Sequence, residues 1–323
     1  MNSVFTDAGA AEPGAPASAA PPAAKPLGVT LVTLVRREFW EYRALWLGPL
    51  VAAALVALAA ITAHVNFDLS HEHNSKLAML LTPAGRDGLS TFVQWVLSIP
   101  LYLIMVGVLS YYLLDCLSAE RRDRSILFWK SLPVSDGLTV LSKLLVAFVV
   151  VPLGVFLLAI ATHIVFSLII AVRVAVGTAP DLLTWNPVSW LQLEIIMLGE
   201  LLLGVLWYAP AAACLLLLSA WVRRPFLWAT LPLIFLPILE RIALGTHHLW
   251  DFLHYRTIGI WQVLFQGLNI NPETMQSQTL GSALMQQLNF GAAFSSPGLW
   301  VGVVVAVALV IATIRIRRYR DET

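Results

Sequence analysis

Charge is absent from six stretches of this sequence: 44–67, 88–114, 144–172, 201–222, 225–239 and 274–314. About 20 consecutive apolar residues, within a range of about 17–25, carry a helix across the hydrocarbon layer of a bilayer. Only 225–239 falls short, and it reaches spanning length by extending through Glu240 and Arg241 to about Leu244. The run 274–314 is apolar throughout only from about residue 298. Six spans follow, at about 45–66, 91–114, 138–172, 188–221, 225–244 and 297–315. A membrane β-barrel would alternate apolar and polar residues, and these runs do not. Of the 323 residues, 59% are hydrophobic and 12% charged, about half the charge of a soluble domain. That excludes a soluble cytosolic enzyme, and two cysteines, Cys116 and Cys214, exclude a disulfide scaffold. A net charge of +1 provides no basic field for nucleic acid. The chain reads as an all-α integral membrane protein, with lipid as its first partner.

The ends and the loops orient it. Residues 1–28 are rich in Ala and Pro, lack the basic start and apolar run of a signal peptide, and read as a disordered cytosolic tail. Fifteen of the twenty Lys and Arg residues lie on one side if both ends are cytosolic, and positive charge marks the cytosolic side. Asn186-Pro187, Asn271-Pro272 and Ser296-Pro297 each put a capping side chain before a proline at a helix start. Pro100, Pro152, Pro210, Pro232 and Pro237 fall inside spans, where they kink or break a helix.

Two cytosolic segments carry more than topology. In 29–46, Val32, Val35, Phe39, Tyr42 and Trp46 form one apolar stripe, while Arg36, Arg37, Glu38, Glu41 and Arg43 occupy much of the remaining surface. This is an amphipathic helix lying in the interface, or a simple basic anchor for the first span. The loop 115–137 holds Glu120, Arg121, Arg122, Asp123 and Arg124, followed at once by Ile126, Leu127, Phe128 and Trp129. Apolar groups rimmed by charge mark a partner surface; the alternative is a juxtamembrane helix whose apolar face dips into lipid.

These residues carry a resemblance. Glu120-Arg121, the run from Arg124 through Trp129, Lys130, Ser131, Pro133 and Ser135, and Lys143 resemble the cytosolic loop of type-2 ATP-binding-cassette (ABC) exporter permeases. Leu206-Trp207-Tyr208-Ala209-Pro210, the stretch Ser219–Ala229 and Glu240-Arg241 agree with it, so the resemblance covers about residues 29–320. Arg124-Ser125 stands where many members have Gly-Thr. The resemblance implies a permease subunit of the bacterial inner membrane that works as a homodimer, or a heterodimer with a similar permease. A separate cytosolic ATPase would bind ATP and magnesium. Arg36, Arg37, Glu38, Glu120, Arg121, Arg122, Asp123, Arg124, Trp129, Lys130, Ser131, Pro133 and Ser135 would then couple the permease to that ATPase. The chain itself has no G-x-x-x-x-G-K-[ST] phosphate loop and calls for no cofactor of its own. An ATP-independent membrane scaffold or sensor is the alternative function.

Acidic residues inside spans need a reason, since each costs about 2.5–3.5 kcal/mol on insertion scales. Trp185 and Trp190 mark the outer interface, which makes Glu194 shallow and Glu200 deeper. Glu200, and less so Glu194, are candidates for the translocation path; otherwise they are neutral acids bonded to neighbouring helices. Glu240 and Arg241 diverge on a helix and read as structural. His163 reads as bonded between helices rather than as a proton relay. His64, His71, His73, His247, His248 and His254 fall outside, and His71-Glu72-His73 reads as a solvated loop before a metal site. The outer segment 245–296, with a helix from Pro272 to about Leu288, either dips back to cap the pathway or lies on the surface as an amphipathic hairpin. No nucleophile triad or zinc signature is evident, which leaves an intramembrane hydrolase as the least supported reading.

Overall fold

The structure is a computed structural model and describes residues 27–62, 82–123, 135–178, 183, 185–265 and 280–319. All regular structure among them is helical. Helix α1 (Leu27–Glu41) turns at Tyr42 and Arg43 into α2 (Ala44–Thr62). Then come α3 (Pro83–Arg122), α4 (Asp136–Ala175), α5 (Pro187–Trp221) and α6 (Pro225–Leu244). Three short helices, α7 (His248–Leu264), α8 (Leu280–Gln287) and α9 (Phe290–Ser295), precede α10 (Pro297–Tyr319). Six of these, α2 to α6 and α10, are long and apolar enough to cross a membrane, as in a multi-pass membrane protein.

Local chemistry sets the boundaries. Thr82 accepts the Gly85 N–H at 3.1 Å before Pro83, and Asn186 accepts the Val188 N–H at 3.0 Å before Pro187. These side chains satisfy helix donors that have no partner within the helix. Ser135 does the same for α4, accepting from Leu138 at 3.3 Å. Helix α6 ends at Gly245, whose φ of 67° is left-handed, a conformation that glycine adopts without penalty. Ser296 departs from the expected pattern: α10 starts at Pro297, but the Ser296 hydroxyl is buried and finds no partner among the described residues. Asn271 and Pro272 lie outside the described residues. The internal prolines break none of the helices. In α4 the turn Val146–Val150 widens to π-helical pairing just before Pro152, which supplies no N–H to a regular ladder.

Helix α5 is the centre of the bundle, with α3 and α10 packed along it; α2 packs against α3 and α4. Leu45, Val56, Leu101, Val151, Ala159 and Met197 belong to the main core. A second core joins Leu203 and Trp207 of α5 to Ile260 and Leu264 of α7, Ala293 of α9 and Leu299 of α10. So α7 packs along the flank of α5, held by Trp207 Nε1 donating to the Arg256 carbonyl at 2.9 Å and Tyr208 Oη to the Thr257 carbonyl at 2.6 Å. Gly302 leaves room for the Arg256 guanidinium, which lies 5.0 Å from the Trp207 ring. Helix α6 is peripheral and buries little besides Pro225, Ala229 and Glu240.

Two expectations shift. The second span is longer than 91–114 because its first turns bury polar groups, Asp87 accepting from Ser189 Oγ at 2.7 Å. Asp115–Arg122, expected in a loop, are the last turns of α3, because Asp115 and Glu120 find partners inside the bundle.

Candidate functional site

Four elements meet at one end of the bundle: α1, the end of α3, the start of α4 and the end of α10. Their charged residues form one network. Lys143 of α4 places Nζ 2.9 Å from Glu38 Oε1 of α1 and 3.1 Å from Glu120 Oε1 of α3, and all three side chains are 1% exposed. Arg317 of α10 contacts Glu120 Oε2 through Nη1 at 2.7 Å and Asp136 Oδ1 through Nε at 3.1 Å. Arg37 closes the ring, 3.3 Å from Glu120 and 3.1 Å from Glu41. Tyr112 donates to Glu38 Oε2 at 3.0 Å, so that carboxylate is held on both oxygens.

Such burial is tolerated only because each charge is paired. An isolated ion in this setting costs several kcal/mol, and opposite charges at about 3 Å offset that cost when the remaining lone pairs are also bonded. Alongside, Tyr42 donates to Asp115 at 3.4 Å and meets Tyr112 edge-on with ring centroids 5.0 Å apart. Burial first, and then the nearby Cys116, Asp115, Glu41 and Glu38, push the Tyr42 phenol above its ordinary value. It therefore remains a neutral donor.

The network reorganises the expected apolar stripe of α1. Glu38 and Leu34 face inward with Tyr42, whereas Val32 and Trp46 are exposed. Pairing with Lys143 draws Glu38 into the bundle, and the bend at Tyr42 and Arg43 turns Trp46 outward.

The remaining residues expected at the coupling surface are dispersed. Arg121 donates from Nη2 to the Ser219 and Val222 carbonyls, tying the ends of α3 and α5. Ser219 Oγ in turn accepts from the Leu117 and Ser118 N–H groups, each at 3.1 Å. Arg36 is exposed. Arg122 is 67% exposed, 3.6 Å from Asp115 and 3.7 Å from Asp123. Ser135 caps α4. Arg124, Trp129, Lys130, Ser131 and Pro133 lie outside the described residues, as do His64, His71 and His73.

A second polar cluster lies in the half of the bundle away from α1, between α3, α4 and α5. His163 Nδ1 is 2.6 Å from Glu194 Oε1, and His163 Nε2 is 2.8 Å from Ser98 Oγ. Beside it Gln94 donates to Ser167 Oγ at 3.1 Å. The interhelical bond expected for His163 is therefore present, and its partner is the candidate residue Glu194. Glu200 lies further along α5, half-buried. Glu240 is structural: it accepts from Thr246 Oγ1 at 2.7 Å and from the His248 and Leu249 N–H groups at 2.9 and 2.8 Å. A carboxylate on those donors satisfies the start of α7 and complements its dipole. Arg241 points outward. Both cysteines are free, and no His, Cys, Asp or Glu group among the described residues is arranged to hold a metal.

Reasoning from sequence reached Glu38 and Glu120 but not Arg317, which pairs with both Glu120 and Asp136, and it missed Ser98 entirely. The signal available was the need for compensation: Glu38 and Glu120 sit beside long apolar runs, and the nearest cations able to enter those runs are Lys143 and the arginines at 315–318. No family model, curated protein or solved structure matches the chain.

Proposed function

We propose that this chain is the transmembrane permease subunit of an ATP-driven ABC exporter of the type-2 class. It would act as a homodimer, or a heterodimer with a similar permease, in the bacterial inner membrane. A separate cytosolic ATPase holds ATP and magnesium, and the substrate is apolar or amphipathic. The observation that carries this reading is the buried network of Glu38, Lys143, Glu120 and Arg317. It clamps α1 to both flanks of the segment 124–134, through Glu120 before it and Asp136 and Lys143 after it. Force applied by an ATPase to α1 or to that segment passes through short ionic contacts into α3, α4 and α10 together. Coupling of this kind needs elements that move as one body and a nucleotide state that favours one of two arrangements. The charge bias of the loops supports a cytosolic position for this end of the bundle.

The test is co-purification with a Walker-motif ATPase, followed by its ATP turnover. Because Glu120 is buried, the exposed residues Arg36 and Arg122 are the cleaner probes: R36E and R122E should reduce ATPase binding or its stimulation at least about tenfold with the fold intact. If no such ATPase associates, or turnover is indifferent to both changes, the ATP-independent scaffold or sensor takes its place.

A further inference from the structure

Ser98, His163 and Glu194 reproduce the order of contacts of a nucleophile, a base and an orienting carboxylate: Ser98 Oγ to Nε2 at 2.8 Å, then Nδ1 to Glu194 Oε1 at 2.6 Å. Acyl transfer needs more than that order. It needs donors aimed at a developing oxyanion and room for a substrate. Ser98 lies in mid-helix, where backbone N–H groups are engaged in the α3 ladder, and Pro100 just beyond it has none. Ser98, His163 and Glu194 are 2%, 1% and 5% exposed. The arrangement suits an occupant far smaller than an ester.

We propose that Ser98, His163 and Glu194 form a proton-binding site inside the bundle. In the proton-free form a neutral His163 donates Nδ1–H to Glu194 and accepts the Ser98 hydroxyl at Nε2, leaving one buried negative charge. The added proton goes to Nε2, which then donates to Ser98 Oγ. The Ser98 hydroxyl turns to the Gln94 carbonyl at 3.3 Å or to Met197 Sδ at 3.8 Å, both already within its reach. The loaded site is an imidazolium–carboxylate pair without net charge. Every ring nitrogen is bonded in both forms, and only one hydroxyl has to rotate.

Two further atoms point the same way. Glu194 Oε2 and Tyr102 Oη are both buried with no hydrogen-bond partner among the described residues. A carboxylate with an unsatisfied oxygen is costly in low dielectric, and a proton on its histidine partner removes the net charge. Tyr102 lies close enough to both Glu194 and Glu200 for their charges to act on it. Among the described residues, the surroundings supply little competing charge. Helix α2, packed against α4, brings no titratable residue. From α3 come Tyr102 and, nearer its start, Arg86 and Asp87, the latter bonded to Ser189. From α5 come Glu194 and Glu200, and on α4 itself Arg173 is bonded to the Ala60 carbonyl. The charged residues of α1 and α10 that pack on α4 belong to its other end.

The proposal is independent of any ATPase and is tested without one. Full-length protein labelled with 15N-histidine in lipid nanodiscs is titrated by NMR between pH 5 and 8, with H163Q identifying the resonances. His163 is expected to be doubly protonated over at least part of that range. E194Q should weaken proton binding at His163 at least about tenfold, the equivalent of one pH unit, and S98A should weaken it less. The wild-type titration stands even if E194Q fails to fold. A His163 that stays neutral throughout, or that titrates unchanged in E194Q, overturns the proposal. So does covalent labelling of Ser98 by a fluorophosphonate, which would mark it as an acyl-transfer nucleophile.

Discussion

At the α1 end of the bundle two buried carboxylates, Glu38 and Glu120, share Lys143, with Arg37 and Arg317 completing the second. At the other end one buried carboxylate, Glu194, meets a histidine and leaves one oxygen without a hydrogen-bond partner among the described residues. The first cluster is built from Lys and Arg, whose charge is permanent at physiological pH. The second is built on histidine, the side chain whose charge changes most readily there. The difference separates a clamp from an adjustable contact. Fixed opposite charges lock four elements in one arrangement, whereas the histidine pair can change its net charge while keeping its hydrogen bonds. Ser98 and Glu120 belong to the same helix α3, about 33 Å apart at 1.5 Å per residue, so one continuous helix joins the two.

The clamp breaks most severely at its shared cation. Lys143→Met leaves Glu38 and Glu120 facing each other without Lys143, and should cost about 3–5 kcal/mol, read from the thermal midpoint in nanodiscs. Adding Glu38→Gln to that variant should recover part of the loss by removing one stranded charge. Arg317→Ala is milder, about 2 kcal/mol, because Glu120 keeps Lys143 and Arg37; a loss as large as that of Lys143→Met would mean that Arg317, not Lys143, organises the network. In the histidine cluster Ser98→Ala removes a neutral contact and should cost about 1 kcal/mol. Combined with Arg317→Ala its effect should add to within about 0.5 kcal/mol; a larger departure would show that α3 transmits strain between the clusters.

The smallest expected effect is at Tyr42. Its phenol is held above its ordinary value, chiefly by burial, so the folded form disfavours the phenolate. The stability that Tyr42 lends to the α1 contact is complete below about pH 10, where an unfolded tyrosine begins to ionise. It falls as the pH climbs further. Tyr42→Phe should flatten that decline in a pH-dependent unfolding series.

Apart from the second, the spans were legible to within a few residues because they depend on a local property, the absence of charge over a bilayer's thickness. The expected 225–244 and the observed α6 coincide, and Asn186-Pro187 marked the start of α5 through a cap two residues deep. The end of the second span was harder. Glu120 and Asp115 read as loop residues because they are acidic, yet both lie in helix, since partners from elsewhere in the chain compensate them. The polar clusters were hidden for the same reason. Glu38 and Lys143 are 105 residues apart, Glu120 and Arg317 are 197 apart, and His163 and Glu194 are 31 apart.

What the sequence determined alone was the solvent of this protein, the number of helices fit to cross it, and the side on which positive charge collects. Hydropathy and charge act over neighbouring residues and need no partner to be counted. Which acids enter the bundle, and which cation or histidine receives them, was decided only by tertiary structure. The cost of burying a charge depends on what stands about 3 Å away, and that neighbour is chosen by the packing of helices distant in sequence.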